Sequence, residues 1–159
     1  MYDYVVRELP EIVSEHLPVS QRQSISGHSM GGHGSLVTAL RNPERWQSVS
    51  AFAPIANPSV VPWGQKAFGN YLASESEWAE WDASCLMAEK SFPADILIDQ
   101  GEADQFLDRE LHPDSLEAAA RQSGQPLTLR RHAGFDHGYY FIQSFIDDHL
   151  HHHARILKA

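Results

Sequence analysis

The spacing of apolar residues predicts helices and strands that alternate along the chain. The helical segments are residues 2–17, 31–41, 66–72, 80–89, 113–122 and 139–157. Short apolar or alternating runs, typical of strands, cover residues 24–26, 47–53, 95–99 and 127–131. This order is typical of α/β proteins with a mostly parallel sheet. We expect such strands to be buried on both faces, because helices cover both sides of a parallel sheet.

Prolines and glycines mark where these elements bend or end. Pro10 lies inside the first helical pattern, where its missing N–H predicts a kink. Three prolines within residues 54–63 predict a loop. The second helix is expected to stop at Asn42 and Pro43, and Gly124 follows the fifth helix. No repeat or low-complexity linker interrupts the pattern, and a length of 159 residues suggests one domain.

Composition limits the binding partners and the cellular location that the chain is expected to have. Twelve Lys and Arg face 21 Asp and Glu, a net charge of −9 that argues against nucleic acid and anionic membranes as main partners. A hydrophobic content of 42% is enough for a packed core. Cys85 is the single cysteine, which excludes an internal disulfide framework. No run reaches the roughly 18 apolar residues of a membrane span, and the first residues do not resemble a signal peptide. A reducing, cytoplasmic location is therefore expected.

A G-x-S-x-G motif, Gly27-His28-Ser29-Met30-Gly31, joins a predicted strand to a predicted helix. In a nucleophile elbow this turn is tight and strained, and it lifts the serine hydroxyl above the sheet. The backbone N–H of Met30 then points at a developing oxyanion, and the N-terminus of the helix adds a favourable field. A glycine-rich turn with an ordinary serine is the alternative interpretation.

An activated serine needs a histidine base and an acid that orients it, and in α/β hydrolases the acid precedes the histidine along the chain. The loop after strand 95–99 offers four acids: Asp99, Glu102, Asp104 and Asp108. Asp99 closes the strand and suits a structural role, whereas Glu102 suits a solvated one. We favour Asp104, because the apolar residues that follow it are suited to anchor the loop.

Two histidines compete for the role of base. His132 ends strand 127–131, whereas His137 lies further along the loop, just before the last helix. Both loops follow the carboxyl ends of strands, the edge where ligands bind in open α/β sheets. We favour His137, because its position in the loop matches the order that the triad requires.

Several motifs together resemble the S-formylglutathione hydrolases, also called esterase D. They are GHSMGGHG (27–34), AFAPI (51–55), PWG (62–64), LIDQG (97–101) and DH (136–137). The resemblance implies an α/β-hydrolase fold and a triad of Ser29, Asp104 and His137. It also implies cleavage of S-formylglutathione to glutathione and formate in formaldehyde detoxification, with general carboxylesterase and thioesterase activity. It implies a small-molecule substrate, no cofactor and a homodimer.

The chain departs from this family in two respects. Gly138 stands where the family usually has serine after the histidine. The family's proteins are also considerably longer, so we expect residues 1–159 to be the C-terminal part of a single α/β-hydrolase domain. On this expectation, N-terminal strands and the loop with the second oxyanion donor are missing, and the free edge of the sheet is exposed. An acyltransferase on the same scaffold and an inactive fragment are alternatives.

Three further features remain to be interpreted: Trp63 with Lys66, the histidine-rich tract and Cys85. Trp63 and Lys66 lie in a predicted loop, where they either line the substrate pocket, with Lys66 meeting a glutathione carboxylate, or are surface residues. His149 and His153 are one helical turn apart in a histidine-rich tract, a spacing that suits either adventitious metal binding or a solvated helix end. No catalytic metal site is predicted. Cys85 is interpreted as a core residue and not as a nucleophile.

Overall fold

The structure is a computed structural model that describes residues 1–159. Its centre is a four-stranded parallel sheet in the order β1-β2-β3-β4. The strands are β1 Gln23–His28, β2 Trp46–Phe52, β3 Ile96–Gly101 and β4 Leu127–His132. The helices are α1 Leu9–His16, α2 Met30–Arg41, α3 Pro62–Tyr71, α4 Ala83–Glu89, α5 Pro113–Ser123 and α6 Tyr139–Leu157. The predicted α/β class with a parallel sheet is confirmed.

The two faces of the sheet carry different layers. Alternate residues of β2 and β3, such as Val49 and Ile98, point into the larger core cluster, which also contains residues of α2, α4 and α5. The intervening residues, such as Phe52, face α6, and Phe52 belongs to a smaller apolar cluster with Phe141. The long helix α6 therefore covers one face, and α2, α4 and α5 cover the other.

Burial differs between inner and outer strands. Nearly all of β2 and all of β3 are buried, whereas β1 and β4 are only partly buried. The expectation that every strand is buried on both faces is therefore wrong for β1 and β4. The reason is that both lie at edges of the sheet, where one neighbouring strand and less helical cover are available.

Some predicted boundaries need correction. The loop predicted for residues 54–63 holds a short 3₁₀ turn, Pro58–Val60, and ends early, because α3 begins at Pro62 and not at residue 66. Proline suits the first turn of a helix, where its missing N–H has no partner to lose. The helix predicted for residues 80–89 is divided at Asp82, whose carboxylate accepts the N–H groups of Ser84 and Cys85 and so caps α4.

Near the N-terminus the helical pattern changes type. A π-helical turn, Tyr4–Glu8, precedes α1, and Pro10 is the second residue of α1. Where the sequence predicts a kink at Pro10, the structure has this wider turn just before a proline that has no N–H to donate. None of the helices combines the length and the apolar character that crossing a membrane requires.

Candidate active site

Ser29 lies on a strained turn between β1 and α2. Its φ of 57° and ψ of −117° place a non-glycine residue in a sparsely populated conformation. Its N–H donates to the carbonyl of Phe52 at 2.9 Å, which ties the turn to the end of β2. A Cβ on Gly27 would collide with the backbone of Gly31, so only glycine permits this close approach. This is the geometry of a nucleophile elbow.

The residue after the serine opens the helix. Met30 is the first residue of α2 and is 76% exposed. The first N–H groups of a helix have no partner within the helix, so they are available to an anion. The Ser29 side chain does not cap this helix. The predicted oxyanion donor, the Met30 N–H, thus lies next to the serine at the positive end of a helix dipole.

Asp104 and His137 are joined by a buried hydrogen bond. The Asp104 Oδ2 and His137 Nδ1 atoms are 2.5 Å apart, and the Asp104 side chain is fully buried. Oδ1 accepts the N–H of Phe106 at 2.8 Å, and the Gln100 amide lies 3.4 Å from Oδ2. A carboxylate only accepts hydrogen bonds, so the proton shared with it belongs to Nδ1 of His137. His137 Nε2 is then the nitrogen able to act as a base.

The other three candidate acids lie elsewhere. Glu102 and Asp108 are exposed. Asp99 is buried on β3 and is bound by Arg130, His132 and His149. Among the four acids, Asp104 is the one that contacts His137. The competing histidine, His132, lies 3.1 Å from Asp99 and stacks on Phe145.

The elbow and the His-Asp pair meet through aromatic rings. His28, directly before Ser29, lies with its ring 4.4 Å from that of His137, centroid to centroid. Phe106 approaches the His137 ring edge-on at 5.1 Å. The structure therefore brings together the neighbourhoods of all three predicted catalytic residues at one edge of the sheet. Sequence reasoning missed His28 as part of the site, although it lies within the G-x-S-x-G motif.

The two predicted substrate-binding residues lie on a helix and not in a loop. Trp63 is in the first turn of α3, 44% exposed, with its ring 4.8 Å from that of Phe106. The backbone N–H of Trp63 donates to the buried carboxylate of Glu110 at 2.9 Å, and this bond holds the start of α3 in place. Lys66 is exposed on the next turn of α3. Trp63 is thus linked to His137 through Phe106, and Lys66 lies at the outer surface of the same helix.

The histidine-rich tract of α6 has a structural use that the sequence analysis missed. His149 Nδ1 lies 2.8 Å from the Ser50 hydroxyl, and its Nε2 lies 3.1 Å from Asp99. His153 lies 2.7 Å from the hydroxyl of Ser48 and 2.8 Å from that of Ser50. The interpretation of this tract as a solvated helix end is therefore wrong for His149 and His153, because both form hydrogen bonds to serines of strand β2. No group of three or more His, Cys, Asp or Glu side chains is placed to hold a metal ion.

Burial sets the protonation of two other groups. Burial, followed by the charge of Asp82 and a hydrogen bond to it, raises the pKa of the Cys85 thiol to about 11. The thiol stays protonated near neutral pH and is a poor nucleophile. Burial, followed by the proximity of His137, lowers the pKa of His28. His28 is therefore neutral at neutral pH.

A parallel sheet with a serine on a strained strand-to-helix turn and a His-Asp pair at the same edge of the sheet is the arrangement of the α/β-hydrolase fold. The Esterase family, described as "Putative esterase", matches residues 1–152, and the chain belongs to this family.

Individual relatives give the same picture. The chain is 53% identical over 162 residues to S-formylglutathione hydrolase from Arabidopsis thaliana, and the match covers 99% of this chain and 57% of that protein. It is 49% identical to a solved S-formylglutathione hydrolase from Agrobacterium tumefaciens, with a TM-score of 0.95 over 99% of this chain and 57% of that one. S-formylglutathione hydrolase from Staphylococcus aureus, at 22% identity and a TM-score of 0.67 over 92% of this chain and 61% of that one, shares the fold. The chain thus spans about three fifths of the length of these relatives.

Proposed function

We propose that this chain is a serine hydrolase that cleaves S-formylglutathione to glutathione and formate, and that it also cleaves other thioesters and carboxylic esters. The observation that carries the proposal is the buried Asp104–His137 pair, joined at 2.5 Å, beside the strained turn of Ser29. Similarity to S-formylglutathione hydrolases over 99% of the chain supports the choice of substrate.

The proposed reaction is acyl transfer through a formyl-enzyme. Ser29 Oγ attacks the thioester carbonyl while His137 Nε2 takes its proton, and the Met30 N–H donates to the oxyanion. Asp104 holds the imidazole in the Nδ1–H form and stabilises the imidazolium. The carbon–sulfur bond then breaks, and His137 returns the proton to the leaving thiolate. Thiols have a pKa near 8.5, so they leave more readily than alkoxides.

A water molecule completes the cycle. His137 removes a proton from the water, whose oxygen attacks the formyl carbon. Formate leaves as the bond between Ser29 Oγ and the formyl carbon breaks, and His137 gives the proton to Ser29 Oγ. The Asp104–His137 pair therefore serves both halves of the reaction with the same nitrogen.

Trp63 and Lys66 are the proposed substrate-binding residues. Trp63 offers an exposed aromatic face two ring contacts away from His137. Lys66, one turn further along α3, offers a cation to a glutathione carboxylate. The proposal includes a small-molecule substrate, a cytoplasmic location and a homodimer. It also includes the assignment of residues 1–159 to the C-terminal part of one α/β-hydrolase domain.

The experiment is turnover of S-formylglutathione by the purified chain, followed by loss of thioester and by release of free formate. Ser29→Ala is expected to abolish turnover, and Asp104→Asn to lower kcat by about 10³- to 10⁴-fold, because the imidazole loses its oriented tautomer. The matched control is Glu102→Gln, a nearby exposed acid, which should retain full activity. Activity that survives Ser29→Ala would overturn the proposal. Release of a formyl ester with an added alcohol, without formate, would indicate transfer instead of hydrolysis.

A further inference from the structure

His28 touches the imidazole of His137 without forming a hydrogen bond to it. The two rings are tilted by 41° with centroids 4.4 Å apart, so they pack closely against each other. The Nε2 atom of His28 is buried and has no hydrogen-bond partner. Buried polar atoms without partners are rare and destabilising, so a feature of this kind calls for an explanation.

The position of His137 explains why a ring is placed there. The imidazole of His137 is held by its covalent bond to Cβ and by one hydrogen bond, from Nδ1 to Asp104, and both attachments lie on the same side of the ring. Nε2 lies across the ring from the Cγ–Nδ1 bond, so rotation and tilting of the ring shift it relative to the serine. Contacts on the ring itself are needed to prevent this motion. Phe106 supplies one, nearly perpendicular to the His137 ring with centroids 5.1 Å apart, and His28 supplies the other, tilted by 41° at 4.4 Å.

We propose that His28 is a positioning residue, which holds the His137 ring against Asp104 so that Nε2 faces Ser29. The inference rests on the proposed roles of Ser29, Asp104 and His137. His28 directly precedes Ser29 in the chain, so its backbone moves together with the turn that carries the serine. The contact therefore links the orientation of the base to the position of the nucleophile.

The neutral state of His28 suits this role. Burial, followed by the proximity of His137, disfavours a proton on His28 and lowers its pKa. When His137 takes the serine proton, a neutral ring beside it adds no repulsion, whereas a charged one would. In this role His28 contributes a flat, uncharged ring surface. Its Nε2 atom lacks a hydrogen-bond partner because the ring is placed for packing.

Two variants of His28 distinguish the contribution of its flat ring from that of its ring nitrogens. His28→Ala removes the ring contact and should lower kcat by about 10- to 100-fold, since small misplacements of a reacting group have effects of this size. KM should stay within about twofold, because in this proposal His28 does not bind the substrate. His28→Phe keeps a flat neutral surface and should restore most of kcat. It should also raise the melting temperature, because it removes the unpartnered polar atom. Equal activity of the Ala and Phe variants, or full activity of the Ala variant, would overturn the inference.

A second readout separates this inference from the choice of substrate. A fluorophosphonate probe reacts with an activated serine, as Ser29 Oγ bonds to phosphorus, fluoride leaves and the proton passes to His137. The rate of Ser29 labelling, followed by intact mass, should fall in His28→Ala and recover in His28→Phe even if S-formylglutathione is not turned over. If the labelling rate falls in His28→Ala and recovers in His28→Phe while no thioester is turned over, the proposed substrate is contradicted and the role of His28 is supported. Absence of labelling in the unmodified chain would overturn both, and a melting curve for each variant shows that it is folded.

Discussion

Asp99 and Arg130 are directly opposite each other on β3 and β4 and form a bidentate ion pair beneath α6. Both nitrogen–oxygen distances, Nε to Oδ1 and Nη2 to Oδ2, are 2.6 Å. Burial disfavours the ionised form of Asp99, but hydrogen bonds from His149, Arg130 and His132 outweigh it and hold the pKa of Asp99 well below its usual value. One buried carboxylate therefore joins two strands to the last helix.

Asp99→Asn should lower the free energy of unfolding by about 3 kcal/mol, because it leaves a partly buried guanidinium without its main counter-charge. The matched control is Asp148→Asn, which removes the other partner of Arg130. The Asp148 side chain is 53% exposed, so its loss should change stability by less than about 1 kcal/mol. Chemical denaturation of both variants measures the difference, and similar values for the two would contradict the importance of the buried pair.

Acid should weaken the attachment of α6 through His153. Burial, followed by the imidazoles of His152 and His149, lowers the pKa of His153 to about 4, against about 6.5 in the unfolded chain. Between these values the unfolded chain binds a proton that the folded chain does not. The stabilisation is therefore complete above about pH 6.5 and is lost as the pH falls towards 4. Asp99 stays ionised over this interval and does not account for the change.

Stability measured at pH 7 and at pH 4.5 tests this prediction. His153→Gln should reduce the difference between the two values, whatever it does to stability at pH 7. His151→Gln is the control on the same helix, because His151 is exposed and should not alter the difference. An unchanged difference in His153→Gln would show that other groups are responsible.

Gly27→Ala should disrupt the elbow. The added Cβ would overlap the backbone of Gly31, which no side-chain rearrangement relieves. We expect a loss of about 2–3 kcal/mol in stability, with loss of Ser29 reactivity. Gly34→Ala, in α2, meets nothing within 4 Å and should stabilise the chain by about 0.5–1 kcal/mol. Melting curves and Ser29 labelling compare the two, and normal labelling of Gly27→Ala would show that the turn tolerates a side chain.

Loss of Trp63 should weaken binding of both substrate types, whereas loss of Lys66 should weaken binding of the glutathione thioester alone. Trp63→Ala removes the aromatic face next to Phe106, and KM should rise about tenfold for aryl esters and for S-formylglutathione alike. Lys66→Gln removes only an exposed charge, so KM should rise by at most about fivefold for the glutathione thioester and stay unchanged for a neutral ester. The Lys66 effect should fade in high salt. Steady-state kinetics on both substrates measures this, and a Lys66 effect on the neutral ester would contradict a role in carboxylate binding.

Local sequence signals predicted much of the fold. Helix α6 begins and ends where the periodicity places it, and α2 and α5 agree within one residue. These elements have clear limits, such as Gly124, which adopts the left-handed conformation at the end of α5. Where signals compete locally, the prediction was wrong, as at Asp82, which caps a new helix inside an apparently continuous one.

The candidate site was predicted by motif order and loop position, and the structure brings Asp104 and His137 together as that order requires. The roles of Ser29, Asp104 and His137 remain predictions. Sequence reasoning did not include His28 in the site, because a motif shows that two residues are adjacent in the chain but not which side chain lies against a third.

The sequence by itself determined the alternation of strands and helices, the glycine-bounded turn around Ser29 and the set of acids and histidines available. These follow from interactions between residues a few positions apart. Only the tertiary structure decided what each acid and histidine does. His149 bonds to Asp99, 50 residues away, and to Ser50, 99 residues away. The protonation and partners of a buried ionisable group depend on what packs against it, and packing between distant segments exists only in the folded chain.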